Sequence, residues 1–320
     1  MNRVVICCIA RTENRYLPEW LDYHLSLGFD HIYLCDNART GEERINDIIK
    51  DNKKYKDRVS IFDYANIDGA QVLAYTECYK SIDFDWMAFI DVDEFITFAI
   101  DKNTSSPKYR DIHEFVEDKG VGQDEILLNW MCYGDCGHTV NDGRPVMQRF
   151  NKALPYEFTP FRIWGHVPIN CHVKQILRKG LPVEYVGPHV TLPVNKEASQ
   201  KNELLVINAD GKRVLAQPVQ PTYTFQTAYV RHYITKTIQE YIAGKIARGA
   251  RAGIKNTTYD ISEFFLYNQP TITKISLFRQ AISRYPASYY KHGIIWWLKI
   301  VFKWWIAVPV LHLKHFIKHE

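Results

Sequence analysis

Asp91, Asp93 and Glu94 place three carboxylates within four residues, directly after the apolar run Trp86–Ile90. If the chain stays extended there, positions i and i+2 point to the same side and two carboxylates share one space. Such a pair repels and resists ionising unless a cation sits between its members. An all-oxygen ligand set suits a hard divalent ion, Mg²⁺ or Mn²⁺, which can also bridge a diphosphate. The competing explanation is a helix N-cap with acid in the first turn. What separates the two is the kind of element that delivers the acids.

Those elements alternate. Val4–Ala10 is a continuous apolar run rich in β-branched residues, the pattern of a strand buried on both faces. Leu17–Leu27 carries Leu17, Trp20, Leu21, His24 and Leu25 at helical spacing, with Pro18 suited to its first turn and Gly28 to its end. His31–Cys35 predicts a second strand, 43–52 a helix, Val59–Tyr64 a third strand and Ala70–Ser81 a helix. Trp86–Ile90 is then a fourth strand. The series predicts an α/β domain with a mostly parallel sheet. Ligands gather beyond the carboxyl ends of such strands, so the fourth strand ends in acid where a metal would sit. Further on, 101–110 is a polar loop, Ile112–Lys119 a short helix and Glu125–Trp130 a strand. Residues 131–225 are punctuated by Gly and Pro, with a strand-like piece at Val183–Val186. Helices are expected over 237–250 and 276–285. There is no internal repeat and no low-complexity tract.

Length and charge set outer bounds. The 320 residues suffice for one large domain, or one with an appendage. Net charge is +4, but the stretch from Arg284 onward carries +5 and leaves −1 for the rest. No nucleic-acid footprint is expected; a local basic tail needs the explanation. The 14% aromatic content would suit a sugar or a membrane interface as well as a core. The odd count of seven cysteines fits buried thiols in a reducing compartment. Cys132 and Cys136 with His138 nearby form only a weak zinc pattern, because no second ligand pair follows. The N-terminal apolar run is too short for a secretory signal and reads as the first strand.

Taken together, ARTENRYLPEWLDYHLSLGFDHIYLCDN (10–37) and FIDVDEF (89–95) resemble glycosyltransferase family 92 and its bacterial relatives among the family-2-like glycosyltransferases. The pieces LNWMCYGDCGHT (128–139), HVKQI (172–176), GPHV (187–190) and RHYITKTIQEYIAGKIARG (231–249) follow in the expected order. The resemblance covers about residues 3–250. It implies a GT-A fold, a Rossmann-like nucleotide half fused to an acceptor half, and metal-dependent transfer of a sugar from a nucleotide diphosphate. The expected organisation is a catalytic domain over 1–235, a helical extension over 236–290 and an amphipathic helix over 291–320.

The resemblance puts Arg11, Glu13 and Asp36 in the nucleotide pocket; for Asp36 an Asx turn is the plainer alternative. Gln71, near Asp68 and Tyr75, could reach the nucleotide or the sugar. Asp91 and Asp93 become the metal and diphosphate pair, Asp93 as direct ligand and Asp91 toward ribose or a metal-bound water, with Glu94 orienting them. A further ligand is expected from a later histidine, His232 first and His189 second. Lys236 could steady the leaving diphosphate. An inverting transfer needs a base beside the acceptor hydroxyl; Asp135, in a glycine-flanked loop, is the candidate, ahead of Glu157 and Glu184. Trp130, Tyr133 and Trp164 could stack on a sugar or simply pack.

The segment 293–318 is apolar almost all round, with tryptophan pairs at 296/297 and 304/305 and lysines at 299 and 303. The lysines and Pro309 oppose a clean membrane crossing. The expectation is an in-plane helix on anionic lipid; packing on the chain's own core or on a twin subunit in a homo-oligomer is the alternative. The composite expectation is a transferase at the inner face of a bacterial cell membrane, in the cytoplasm. It would use a UDP-sugar, with UDP-galactose the candidate the family suggests, and a glycan or lipid-linked acceptor of surface polysaccharide or lipopolysaccharide synthesis. The rivals are a nucleotidyltransferase, which would want a Gly-rich basic loop that IARTEN lacks, and a non-catalytic glycan- or lipid-binding protein.

Overall fold

Strand β1 (Val4–Ala10) lies in the interior of the sheet and is apolar on both sides because both sides are covered. Val4, Ile6 and Cys8 face a core shared with Trp20, Leu21 and Phe29; Val5 and Cys7 face a second core shared with Tyr75, Cys78 and Tyr79. Helix α1 (Leu17–Ser26) supplies the first layer and α3 (Ala70–Ser81) the second. The short α2 (Asn46–Ile49) lies between β2 (His31–Asp36) and β3 (Val59–Asp63). The computed structural model describes residues 2–50, 52–158, 168–193, 204–249, 259 and 261–268.

The main sheet runs β3–β2–β1–β4–β7–β6–β11–β5, where β4 is Trp86–Phe89, β5 Glu94–Phe98, β6 Glu125–Cys132, β7 Val173–Arg178 and β11 Ala228–His232. The first four strands are parallel. Strand β7 enters antiparallel between β4 and β6, and β11 is parallel to β6 and antiparallel to β5. A separate hairpin, β8 (Val183–Val186) with β9 (Thr191–Pro193), lies by α3, and β10 (Val206–Asn208) adds to β6. A parallel half continued through one antiparallel strand into a mixed half is the GT-A arrangement that the resemblance implies. Helix α4 (Ile112–Lys119) starts with Asp111 accepting from the Glu114 amide, and α5 is Val146–Arg149.

Several strands escape the sequence pattern, and three of them build the site edge. Strand β5 begins one residue after Asp93, β7 carries Lys174 and Gln175 inside its run, and β11 carries Arg231. The helix expected over 43–52 shrinks to four residues, because Arg44 reaches back to Asp36 and Asp63 and Glu42 to Arg11. The helix expected over 237–250 begins at Ile238 and turns into a π-helix over Ile242–Ile246. Of the expected extension, Ile261–Asn268 is a described helix; the expected helix at 276–285 and the tail at 293–318 lie outside the described residues.

Glu125 opens β6 fully buried, and neither carboxylate oxygen has a partner among the described residues. Burial pushes its carboxyl up to about 8, with Asp124 adding to the shift. The native state therefore holds this proton more tightly than the unfolded chain. Its contribution to stability is fully present below the unfolded pKa and falls as pH rises from about 4.5 to about 8. Glu125→Gln should be near neutral at pH 5 and more stable than the parent by about 3 kcal/mol at pH 8.5. Unfolding curves across that range check this, and a pH-independent gap between the two proteins would contradict it.

Candidate active site

The strand directions bring the carboxyl ends of β1, β2, β4, β6 and β11 to one edge of the sheet, with the amino ends of β5 and β7 beside them. Arg11 and Glu13 follow β1, Asp36 ends β2, Asp91 follows β4, Asp135 follows β6 and His232 ends β11. Lys174 and Glu94 enter from β7 and β5. Arg11, Glu13, Asp36, Asp91, Asp93, Glu94, Asp135 and His232 thus lie at or just beyond a strand end on this edge, whereas Gln71 and Tyr75 come from α3 and His189 from the β8–β9 turn.

The turn Ile90–Asp93 reverses the chain from β4 into β5. Glu94 braces it twice: its amide donates to the Asp91 carbonyl (3.0 Å) and its Oε2 accepts from the Asp91 amide (2.9 Å). Lys174 Nζ then lies 2.7 Å from Asp91 Oδ2 and 3.0 Å from Glu94 Oε2. Gln71 Nε2 (3.2 Å) and the Tyr75 hydroxyl (3.4 Å) donate to Asp91 Oδ1. The Lys174 side chain has no exposure, whereas that of Asp91 is 35% exposed. Burial would raise the Asp91 pKa, but Lys174 outweighs it and holds the carboxylate below its ordinary range. Burial pushes Glu94 up to about 8 against the opposing pull of Lys174. Lys174 itself stays firmly protonated: burial works against the charge and the two carboxylates win.

Asp93 belongs to a second group. Its Oδ2 is 3.0 Å from Lys245 Nζ and its Oδ1 3.7 Å from His232 Nε2. Burial is outweighed by Lys245, His232 and Lys236, so Asp93 is ionised well below the usual carboxylate pKa. Burial keeps His232 neutral by lowering its pKa, and its Nδ1 is buried without a partner among the described residues. A neutral imidazole beside an ionised carboxylate is a donor pair that fits Mg²⁺ or Mn²⁺. Trp130 packs against that imidazole at 4.2 Å and stacks on His172 at 5.0 Å, which makes it a wall for the histidines.

The segment after β11 supplies further cations. Lys236 has a left-handed backbone (φ 53) and sets its ammonium 4.3 Å over the Tyr16 ring. Thr237 caps the next helix in a reciprocal box with Glu240, and Arg149 clamps Glu240 with two hydrogen bonds of 2.7 and 2.8 Å. Lys245 rides the π-helix that follows. Arg248 lies 3.2 Å from Glu13 Oε1, tying this segment back to the end of β1.

The remaining expected residues lie around this centre. Arg11 pairs with Glu42 through two hydrogen bonds (2.8 and 2.7 Å). Asp36 is 1% exposed; it accepts from the Ala38 amide in an Asx turn and from Arg44 Nε at 2.7 Å. His189 Nδ1 contacts the Val173 carbonyl (2.8 Å), and burial lowers its pKa to about 3. Asp135 is 4% exposed and accepts from the Gly137 amide, while its own amide donates to Asn268. Glu157 and Glu184 lie on the surface, Tyr133 is buried, and Trp164 lies outside the described residues. Lys174, Lys245 and Arg248 were not singled out from the sequence. A lysine inside the strand-like VKQIL of β7 is the one signal that could have marked the first of them.

Residues 3–133 match the sequence model of glycosyltransferase family 92. A Ricinus communis protein described as a glycosyltransferase family 92 protein is 29% identical over 96 residues, which cover 29% of this chain and 17% of that relative. The matched part thus spans about a sixth of that relative's length. Among solved structures, S. aureus TarS 1–349 is similar at 16% identity over 55% of this chain and 47% of that one, with a TM-score of 0.34. The same protein in complex with UDP-GlcNAc matches at 14% identity over 44% and 37%, TM-score 0.31. HddC from Yersinia pseudotuberculosis matches at 15% identity over 56% and 77%, TM-score 0.33. Residues 3–133, which hold β1 to β6 and the Asp91–Glu94 turn, are thus similar to glycosyltransferase family 92.

Proposed function

We propose that the protein moves a sugar from a nucleotide diphosphate, a UDP-sugar with UDP-galactose the first candidate, to a glycan or lipid-linked acceptor in surface polysaccharide or lipopolysaccharide synthesis. One observation carries the reading: the β4–β5 turn delivers ionised Asp91 and Asp93 to the carboxyl edge of the sheet, with neutral His232 Nε2 3.7 Å from Asp93. Asp93 and His232 would hold Mn²⁺ or Mg²⁺, with Asp91 beside them and His189 as the further candidate. Bound there, the ion supplies a Lewis acid that offsets charge growing on the diphosphate.

The chain's own groups do the rest. Asp91 is paired with Lys174 and one-third exposed, so it is suited to accept from a ribose or sugar hydroxyl. Gln71 orients it. Arg11, Glu13 and Asp36 form the nucleoside rim at the ends of β1 and β2. Lys236, Lys245 and Arg248 gather positive charge where the nucleotide diphosphate departs. Asp135, at the end of β6, is the base that would take the acceptor proton. The tail at 293–318 would bring the enzyme to anionic lipid at the inner face of the cell membrane; among the described residues no helix is long and apolar enough to cross a membrane.

Purified protein given a panel of nucleotide sugars should release nucleotide from one or two of them with Mn²⁺ and should stop with chelator. Asp93→Asn, with an unchanged circular dichroism spectrum, should lose about 10²–10³-fold in that release. Metal-independent release, or parental activity in Asp93→Asn, would overturn the reading.

Removing the Lys174 ammonium leaves two carboxylates without their shared counter-charge. Lys174→Met should cost about 3–5 kcal/mol of stability at pH 8 and less at pH 5, where Glu94 is protonated. Chemical unfolding at the two pH values measures it.

Truncation after Tyr290 should abolish flotation with vesicles containing phosphatidylglycerol while nucleotide release persists. Flotation equal to that of the full chain would refute the membrane role of the tail.

A further inference from the structure

Away from this edge, three thiols meet inside the second core. Cys7 comes from β1, Cys35 from β2 and Cys78 from α3, and their Sγ atoms all lie within 4.8 Å of one another. Cys35 Sγ and Cys78 Sγ are 3.7 Å apart. Exposure is 0%, 0% and 2% for the three residues. Val5, Tyr33, Ala74, Tyr75 and Phe89 belong to the same core, which leaves the sulfurs in a dry apolar chamber.

The spacing bears on what such a chamber can hold. Three sulfurs each about 2.3 Å from a central ion, in a plane, stand about 4 Å apart. The 3.7 Å between Cys35 and Cys78 and the 4.8 Å that bounds the other two separations lie on either side of that value. A disulfide would need two of the sulfurs to close to about 2.05 Å and would leave the third unused. Structural zinc is four-coordinate, and among the described residues no fourth ligand atom joins the three. Glu77, the neighbour of Cys78, turns its carboxylate to the Tyr64 hydroxyl at 2.6 Å. Soft thiolates with no hard donor select soft ions.

We propose that Cys7, Cys35 and Cys78 form a three-coordinate thiolate site for a soft monovalent cation of the cuprous class. Each sulfur that coordinates loses its S–H proton to solvent and gains a metal–sulfur bond; the ion arrives already monovalent, so no electron is transferred. The bound ion would cross-link β1, β2 and α3. Because α3 also carries Gln71 and Tyr75 to Asp91, loading would stiffen the wall behind that carboxylate.

The test uses the full-length reduced protein, titrated without oxygen with Cu(I) buffered by bicinchoninate. The expected result is one equivalent taken from the competitor, a near-ultraviolet sulfur-to-copper band and X-ray absorption showing three sulfur neighbours and no nitrogen or oxygen. Cys78→Ser should weaken uptake by more than the roughly 10–100-fold that loss of an outer-shell partner costs. Cys136→Ser, remote from the cluster, should bind as the parent does. The proposal is overturned by no uptake, by equal uptake in Cys78→Ser, by a fourth donor in the spectrum, by preferential binding of Zn²⁺, or by a Cys35–Cys78 disulfide found in its place. Should Cys78→Ser fail to fold, the number and kind of neighbours in the parent's spectrum still decide.

Discussion

Lys174 sits at the second position of β7 with no side-chain exposure, its Nζ 2.7 Å from Asp91 and 3.0 Å from Glu94. An ammonium in that position costs several kcal/mol to desolvate. Only the two carboxylates bring it back into balance, and they in turn need it. The three groups are therefore one unit: removing the lysine leaves Asp91 and Glu94 without their shared counter-charge, and removing both acids leaves a buried ammonium alone. Strand β7 has to run antiparallel between β4 and β6 to carry Lys174 there, so the mixed half of the sheet is bound up with the acidic turn. The order of the strands and the electrostatics of the site are two aspects of the same constraint.

A second buried ion pair positions the other cations. Arg149 and Glu240 have side-chain exposures of 1% and 2% and pair at 2.7 Å. Asn141 (2.6 Å) and the Tyr16 hydroxyl (3.0 Å) also donate to Glu240, and the Thr237 capping box closes on it. Burial would raise this carboxyl, but Arg149 and Thr237 lower it to about 2, so it remains charged throughout the physiological range. Its effect is geometric. It pins the start of the helix at Ile238, and the π-helix that follows sets the phase at which Lys245 meets Asp93 and Arg248 meets Glu13.

Most of the parallel half was legible in the sequence, because strands buried on both faces leave unbroken apolar runs. The expected Val4–Ala10 and Ala70–Ser81 match the observed elements residue for residue. The mixed half was not legible, for a physical reason. Strand β7 is buried yet contains Lys174 and Gln175, and β11 contains Arg231 and His232; the polar residues that build the site break the pattern that would reveal the strand. The edge location of the Asp91–Glu94 turn follows from its place after the fourth strand. The pairing of each carboxylate with its own ammonium does not, since Lys174 and Lys245 lie far along the chain and only topology brings them in. Asp36 shows the reverse case: its Asp-Asn context suggests an Asx turn, and the Ala38 amide forms one.

The two aspartates of the turn also end up in chemically distinct surroundings. The Trp20 indole donates to the Glu94 carbonyl (2.8 Å) and the Tyr233 amide to the Asp93 carbonyl (2.9 Å). With the two Glu94 braces, these bonds fix the backbone direction at each position, and the side chains follow. Asp91 is left a third exposed, with its charge balanced by a fully buried lysine. Asp93 is left nearly enclosed, between an ammonium and a neutral imidazole. A partly hydrated, neutralised carboxylate suits exchangeable hydroxyl partners; an enclosed one beside an uncharged nitrogen suits a tightly held cation. The chemical difference between the two positions thus comes from what surrounds them.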